Sequence, residues 1–376
     1  MNTPSFNLSL LLGSVLAAGL AACSGGGGTG ESGLTREDLG QVTTDTGGNA
    51  DIQFTPADGA VSALVTCGPY GYDVLATAQT ITDPNAGIAY DYNTPEGTPM
   101  RVSTTDDLLP VLIPVSPDLD IVPGQYDIQL LLDAAQPTTV TCSALYRTEA
   151  ASASQTVDIH FVFVGVDGDV PDLNGTAAVD HQLLNDTLTR VGELWSGLGL
   201  SVGTVTYEDF SGDVSTYNSV DGDQEFGDLL RTNTSTDRTM TIFMVSAITS
   251  SDGASILGMA AGPPGAPATG GTSKSGAVVT VSSLVDGDTD TEARIIAHEV
   301  GHFMGLFHTT EKDGSSHDPL SDTPECTNDS DGNGTYSTEE CSGQGAENLM
   351  WWAASTNAAT TSENQAWVVQ RSALPQ

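Results

Sequence analysis

Basic residues are scarce in this chain of 376 residues, which contains 10 Lys and Arg against 49 Asp and Glu. A formal net charge of −39 repels nucleic acids and anionic membrane surfaces, so the composition argues against both as partners. The balance suits an extracellular protein that binds calcium or functions in salty water. Solubility alone explains the charge equally well, and the composition does not separate these alternatives.

The apolar run at residues 8–22 is too short to span a bilayer and has the small residues that end a signal peptide. It closes with Leu20-Ala21-Ala22-Cys23, which resembles a bacterial lipobox and implies cleavage before Cys23 and lipidation of its thiol. Residues 1–7 lack the usual Lys or Arg, and an ordinary secretory signal is the alternative. We predict an exported protein, either an outer-membrane or cell-surface lipoprotein that contacts the membrane only through Cys23, or a secreted one.

The sequence divides into a signal peptide at residues 1–22, a flexible, disordered Gly/Ser-rich tether at 23–50, and domains at 51–150 and 151–376. The first domain has short apolar runs broken by Gly, Pro, Asn and Asp, which predict a small all-β sandwich. Its clearest strand patterns are at residues 61–65, 108–115 and 126–132. Binding of carbohydrate or protein and a structural or chaperoning role all remain open for it.

The second domain mixes strand and helix patterns. Apolar runs at residues 157–166, 202–207, 240–245 and 277–281 predict strands, whereas residues 180–198 place apolar side chains at helical spacing. A further helix is predicted from a capping box of Thr289 and Glu292 to Gly305. This order of elements predicts an α+β fold.

The segment with the clearest chemistry is His298-Glu299-Val300-Gly301-His302-Phe303-Met304-Gly305-Leu306-Phe307-His308, which holds three of the six histidines. Residues four apart share one face of a helix, so His298 and His302 can bind the same metal ion. Gly305 can adopt the left-handed conformation that ends a helix, after which the chain can return with His308. Three imidazoles leave a fourth zinc position open for catalysis, with Glu299 as general base.

This segment resembles the metzincin metallopeptidases, whose signature His-Glu-x-x-His-x-x-Gly-x-x-His is matched at every fixed position. The resemblance implies a metzincin-like catalytic domain with a twisted mixed sheet, a backing helix, a zinc-site helix and an irregular lower subdomain. It also implies that Met350 forms a Met-turn beneath the zinc. The Asp322-Thr323-Pro324 segment and Gln365 are similar to features of the pappalysin branch. Trp352 stands where that branch has a metal-assisting tyrosine, so no phenol is expected there.

An acidic segment lies between the histidines and the methionine. Its oxygen-bearing residues alternate as in the first half of an EF-hand loop, with Gly334 at position six and Glu340 at position twelve. The candidate calcium ligands are Asp329, Asp331, Asn333 and Glu340, and the pappalysin resemblance adds Asp318 and Asp322. A solvated acidic turn is the alternative.

Of the five cysteines, four remain if Cys23 is lipidated, and they can pair completely in an oxidising compartment. We predict the disulfides Cys326–Cys341 and Cys67–Cys142. In the alternative, which the metzincin resemblance suggests, the Cys67 thiolate blocks the zinc site of a latent precursor and Cys142 is a free thiol.

Together these observations predict a monomeric zinc endopeptidase that acts on a protein or peptide. The zinc ligands are His298, His302 and His308, the general base is Glu299, and calcium is a second possible ion. A zinc hydrolase of non-peptide amides or esters is one alternative. A catalytically silent surface adhesin on the same scaffold is another.

Overall fold

The computed structural model describes residues 33–85, 87–149, 152, 154–353 and 358–376, so the predicted signal peptide and Cys23 lie outside the described residues. The described part mixes β-sheets with a few helices. Among its helices, none is long and apolar enough to cross a membrane.

Two antiparallel sheets occupy the amino-terminal part. One has the strand order β1-β9-β3-β7 and the other β2-β8-β4-β5, with β6 paired to β4. The inward residues of both sheets share one buried apolar cluster. In β8, alternate residues are buried and half-buried, as expected for a strand with one face on a core. The strands are β1 Leu34–Thr43, β2 Asn49–Phe54, β3 Ser62–Gly68, β4 Leu75–Thr82, β5 Ile88–Asp91, β6 Thr105–Asp106, β7 Leu109–Ile113, β8 Tyr126–Leu132 and β9 Thr139–Arg147.

The predicted tether at residues 23–50 is wrong from Leu34 onward. β1 pairs with β9 along its length, and β2 begins at Asn49. The sequence of β1 is polar because this strand lies at a sheet edge, where one face is solvated and charged side chains are common. A few half-buried side chains, such as Leu39 and Val42, are enough to fix it on the core.

The rest of the chain forms a five-stranded sheet of order β11-β10-β13-β17-β16, with a small sheet β12-β14-β15 beside it. Four strands of the larger sheet are parallel, and the edge strand β16 is antiparallel to β17. Their bounds are β10 Gln155–Phe163, β11 Leu200–Asp209, β12 Ser219–Asp221, β13 Thr239–Val245, β14 Ala247–Thr249, β15 Ser255–Ile256, β16 Gly258–Ala260 and β17 Ala277–Thr280.

Helices pack around this sheet, and the longest two, α1 and α5, lie against each other. The Arg190 guanidinium of α1 donates to Asp290 of α5 over 2.7 Å. The buried face of α1 carries Leu184, Val191, Leu194 and Trp195, four of the positions predicted from helical spacing. The helices are α1 Gln182–Ser196, α2 Val214–Tyr217, α3 Gly222–Arg231, α4 Ser282–Val285, α5 Thr289–Phe303 and α6 Glu363–Val369.

Contacts join the amino-terminal sheets to the rest of the chain. Buried Asp107 accepts a hydrogen bond from Ser273 over 2.7 Å and forms an ion pair with Arg231 of α3. Buried Arg147 of β9 donates to the carbonyl oxygens of Ser372 and Pro375 near the other end of the chain. The apolar cluster of the two sheets also includes Ala268 and Ala373. The division at residue 150 therefore stays a prediction about domains.

Candidate metal centre

The helix that carries the first two predicted ligands is α5, and Asp288 caps its amino terminus. The Asp288 carboxylate accepts hydrogen bonds from the backbone and hydroxyl of Thr291. The predicted capping box is therefore wrong, because Thr289 is already the first helical residue. Glu292 is instead fully buried, and neither of its carboxylate oxygens has a hydrogen-bond partner among the described residues.

The carboxyl end of α5 is a Schellman turn at Gly305, which has a φ of +109°. The Gly305 N–H donates to the His302 carbonyl over 2.9 Å, and the Leu306 N–H donates to the Gly301 carbonyl over 3.0 Å. A side chain at position 305 would have to adopt this left-handed conformation and would crowd Leu112 of β7. The turn reverses the chain and returns His308 toward the helix.

The three predicted histidines meet at one point. The Nε2 atoms of His302 and His308 are 3.0 Å apart, and those of His308 and His298 are 3.3 Å apart. Nitrogens bound at ~2.0–2.1 Å to one tetrahedral zinc ion would be about 3.3 Å apart, so the spacing fits zinc.

The Nδ1 atom of each ring faces an oxygen acceptor, which determines where the proton is. His298 donates to the Leu349 carbonyl and His302 to the Leu306 carbonyl, each over 2.7 Å. Since both Nδ1 atoms carry a proton, the Nε2 atoms of the neutral rings point lone pairs at one another. Such an arrangement can accept a cation between the rings, and neutral imidazole is a preferred zinc ligand.

Burial keeps these rings neutral. It lowers the pKa of His298 to about 3, with a further contribution from His308. Burial also lowers the pKa of His302 well below its usual value, and both neighbouring histidines act in the same direction. Neutral rings are ready to bind a metal without first losing a proton.

His308 differs from the other two histidines, because its Nδ1 faces the Glu311 carboxylate over 2.9 Å. A carboxylate orients the ring and increases the basicity of the ligating nitrogen more than a carbonyl does. The sequence interpretation missed Glu311. A carboxylate three residues after a ligand histidine was the available signal.

Glu299 lies beside the histidines in a cavity of about 520 Å³. Burial raises the pKa of its carboxyl to about 8, while a hydrogen bond from the Ala260 backbone opposes the shift. Gly258 makes room for it, because a Cβ there would lie 2.8 Å from Glu299. The edge strand β16 therefore forms one wall of the cavity directly above the predicted base.

The predicted Met-turn residue, Met350, is fully buried against the carboxyl-terminal end of α5. Its Sδ would lie 2.6 Å from a Cβ at Gly301, so this glycine lets the methionine approach the helix. Asn348 and Gln365 exchange two amide hydrogen bonds of 3.1 and 2.9 Å, which tie the turn to α6. From the sequence, Gln365 was named only for its loose similarity to the pappalysin branch, and its hydrogen bonds with Asn348 were not predicted.

Trp352, which stands where the pappalysin branch has a tyrosine, lines the cavity. Its indole N–H donates to the Tyr336 carbonyl over 2.8 Å. This donor is thus already engaged within the protein. Ser103 of the amino-terminal part also lines the cavity and donates to the Pro263 carbonyl over 2.9 Å, a contribution with no signal in the sequence.

The acidic loop brings together three of the predicted calcium residues. One carboxylate oxygen from each of Asp329, Asp331 and Glu340 lies within 4.8 Å of the others. Asn333 is adjacent and donates to Asp331 over 2.8 Å. Glu340 already accepts a hydrogen bond from the Ser330 hydroxyl. This hydrogen bond is the largest of the effects that lower the pKa of Glu340 to about 2.

Asp318 and Asp322 are not part of this carboxylate group. Asp318 is buried and accepts a 2.6 Å hydrogen bond from the Thr323 hydroxyl, and burial raises its pKa to about 7. Asp322 accepts from the backbone N–H of Asn364 in α6 over 2.9 Å. Asp318 thus has a partner close in sequence, whereas Asp322 has its partner in α6.

Both predicted disulfides are present, linking Cys67 to Cys142 and Cys326 to Cys341. Cys67 and Cys142 are directly opposite each other in the pair β3–β9. The alternative in which the Cys67 thiolate blocks the zinc is therefore wrong, since its sulfur is in a covalent bond away from the histidines.

Comparison with known proteins adds a family match. Residues 179–363 match the sequence model of Reprolysin_5, described as Metallo-peptidase family M12. The matched range includes the three histidines, Glu299 and Met350.

The match supports a metzincin-like peptidase. Enzymes of this family use zinc, and the histidine triad lies within the matched range. The mixed sheet and few helices agree with a metallopeptidase catalytic domain. No curated protein matches the chain.

Two solved structures show a distant likeness. The crystal structure of metalloproteinase-II from Bacteroides fragilis is 15% identical with a TM-score of 0.32, covering 61% of this chain and 61% of that one. A chaperone–substrate complex is 13% identical with a TM-score of 0.33, covering 59% of this chain and 35% of that one. The chain thus spans less than two thirds of either protein, and TM-scores this low do not establish a shared fold.

Proposed function

We propose that the protein is an exported zinc-dependent endopeptidase of the metzincin class. The observation that carries this proposal is the convergence of three Nε2 lone pairs beside the buried carboxyl of Glu299, inside a cavity. The family match over the same residues supports it. The pappalysin branch within that class stays a proposal based on the sequence resemblance.

The residues of the chain divide the reaction between them. His298, His302 and His308 would hold zinc, which lowers the pKa of water and polarises a carbonyl when bound. Glu299 takes the proton of the attacking water and delivers it to the leaving amine.

The edge strand β16 gives the proposed substrate a place to bind. Within the described residues β16 pairs only with β17 and lines the cavity, where the Ala260 backbone also hydrogen-bonds to Glu299. An extended polypeptide can add to such an edge by backbone hydrogen bonds. This feature favours a peptide over a small amide or ester, and the intact base argues against a silent adhesin.

The remaining proposals concern location and calcium. We propose export with anchorage through a lipid on Cys23, and the two disulfides support an extracellular setting. We also propose that Asp329, Asp331 and Glu340 bind calcium in the acidic loop.

Replacing Glu299 by Gln tests the proposed function. The exported form should hold about one zinc per chain and cleave a generic protein substrate until a chelator is added. Glu299→Gln should retain the zinc and lose more than ~100-fold of the turnover, because only the proton carrier changes. A wild-type chain without zinc, or a Glu299→Gln variant that cleaves normally, would contradict the proposal.

A further inference from the structure

A cationic side chain lies in the wall of the active-site cavity. Arg294 is one helical turn before His298 on α5, and residues four apart share a helix face. It is the single Lys or Arg among the cavity-lining residues of the described chain, although the whole sequence has only 10 such residues. Its side chain is 8% exposed.

The hydrogen-bond donors of this guanidinium are only partly used. The Nη2 atom of Arg294 pairs with the carboxylate of Asp290. Asp290 in turn accepts a 2.7 Å hydrogen bond from Arg190, so two guanidinium groups share one carboxylate. The Nε atom of Arg294 is shielded from solvent and has no acceptor within the part of the chain that the structure describes. An arginine has five N–H donors, and a buried one normally satisfies most of them.

In the described chain, the other acidic residues near Arg294 do not accept hydrogen bonds from its remaining N–H donors. Asp288 is close enough for Arg294 to favour its ionised form, but its oxygens accept hydrogen bonds from Thr291 at the helix cap. Glu292 is buried with a pKa raised to about 8, mainly by desolvation, so it is protonated at neutral pH. The carboxylates in the cavity wall itself belong to Glu299 and Glu311, the proposed base and the partner of His308.

We propose that Arg294 makes the cavity a subsite for an acidic substrate side chain, an Asp or Glu next to the scissile bond. This inference rests on the proposed peptidase function. A guanidinium binds a carboxylate through paired hydrogen bonds, and a mostly apolar wall strengthens the interaction by excluding water. A substrate side chain with a positive charge at the same place would be rejected.

The first test needs no variant. The zinc-loaded full chain is given a randomised decapeptide library, and the residues flanking each cleaved bond are counted. We expect Asp and Glu to be enriched at one position beside the bond. A matched pair of peptides that carry Glu or its isostere Gln there should differ by at least ~10-fold in kcat/KM, falling as salt is raised.

Two arginine variants identify the residue responsible. Arg294→Met should bring the Glu/Gln ratio close to one, because the apolar stem remains and the charge is lost. Arg190→Met is the matched control, since it removes the other partner of Asp290 without changing the cavity wall. It should preserve the ratio.

The outcomes separate this inference from the proposed function. If no peptide is cleaved, the peptidase proposal fails first. If peptides are cleaved without acidic preference, or if Arg190→Met abolishes the preference as fully as Arg294→Met does, the subsite proposal is wrong while the peptidase stands. If Arg294→Met does not fold, a library without acidic preference still contradicts the subsite proposal.

Discussion

The histidine cluster and the acidic loop are both candidate cation sites, yet they use their ligand atoms differently. In the cluster, each Nδ1 faces a protein acceptor and the Nε2 atoms of His298, His302 and His308 are left to converge. In the loop, Glu340 Oε1 accepts from the backbone of Ser330 and Asp331. The loop donors would have to release this carboxylate before a cation could use it fully.

Burial also differs between the two sites. His298 and His302 lie in a helix held by apolar packing, whereas Asp331 is exposed and the loop is fixed by its own hydrogen bonds. A site whose donors are held apart from competing partners needs little rearrangement when an ion binds. We therefore expect tight zinc binding at the cluster and weaker calcium binding at the loop.

The largest effect is expected from removing a zinc ligand. His302→Ala should weaken zinc binding by more than ~100-fold, because loss of a ligand costs more than loss of a ligand's hydrogen-bond partner. Glu340→Ala is the matched change in the loop and should leave the zinc affinity unaltered. Competition with a chromogenic chelator measures both. Equal zinc affinities for His302→Ala and the wild type would remove the distinction between the sites.

A smaller loss is expected at Glu311. Glu311→Ala should weaken zinc binding by ~10–100-fold, because His308 loses the carboxylate that orients its ring. Glu311→Gln should recover part of this loss, since an amide oxygen can still accept from Nδ1 but carries no charge. The exposed Glu325→Gln serves as the control in the same chelator competition. A Glu311→Ala variant with wild-type affinity would show that the backbone alone positions the ring.

The buried carboxyl of Glu292 in the first turn of α5 predicts a pH effect on stability. Glu292 has an ordinary pKa of 4.5 that burial raises to about 8. Between these values the unfolded chain has released the proton and the folded chain retains it. Folding stability should therefore fall as pH rises, by up to ~1.4 kcal/mol per pH unit.

Glu292→Gln removes this titration. The free energy of unfolding of the variant minus that of the wild type should therefore increase from pH 5 to pH 8 and then level off. Thermal unfolding of both proteins across this range measures the difference, with the exposed Glu339→Gln as control. A constant difference at all pH values would mean that Glu292 ionises normally in the folded protein.

The smallest effect is expected from calcium. With a dissociation constant near ~10⁻⁴–10⁻³ M, millimolar Ca²⁺ should stabilise the fold by about 1 kcal/mol and raise Tm by a few degrees. Glu340→Gln should abolish the increase, while His302→Ala should keep it. If Ca²⁺ has no effect on the wild-type Tm, the loop is a solvated turn.

The local part of the candidate site could be predicted from the sequence. The spacing of His298 and His302 and the glycine at position 305 depend only on helix geometry and on one left-handed residue. The central strands β13 and β17 of the parallel sheet were also predictable, because buried strands are continuously apolar.

Features that depend on distant partners were not predictable in this way. The polar strand β1 is ordered because β9, about a hundred residues later, supplies its hydrogen bonds. Asp318 was expected as a calcium ligand because it is acidic, but its burial and its contact with Thr323 depend on tertiary packing. Arg294 and Ser103 reach one cavity from separate parts of the chain, and no local pattern relates them.

The contact of Arg147 with the carbonyl oxygens of Ser372 and Pro375 has a consequence for folding kinetics. Arg147 donates to carbonyl oxygens 225 and 228 residues further along the chain, and residues Thr156 and Gln376 exchange two backbone hydrogen bonds nearby. Closing so long a loop is entropically slow, and proteins dominated by distant contacts fold slowly. We therefore expect the contacts of Arg147 with Ser372 and Pro375 to form late in folding, after the amino-terminal sheets have assembled.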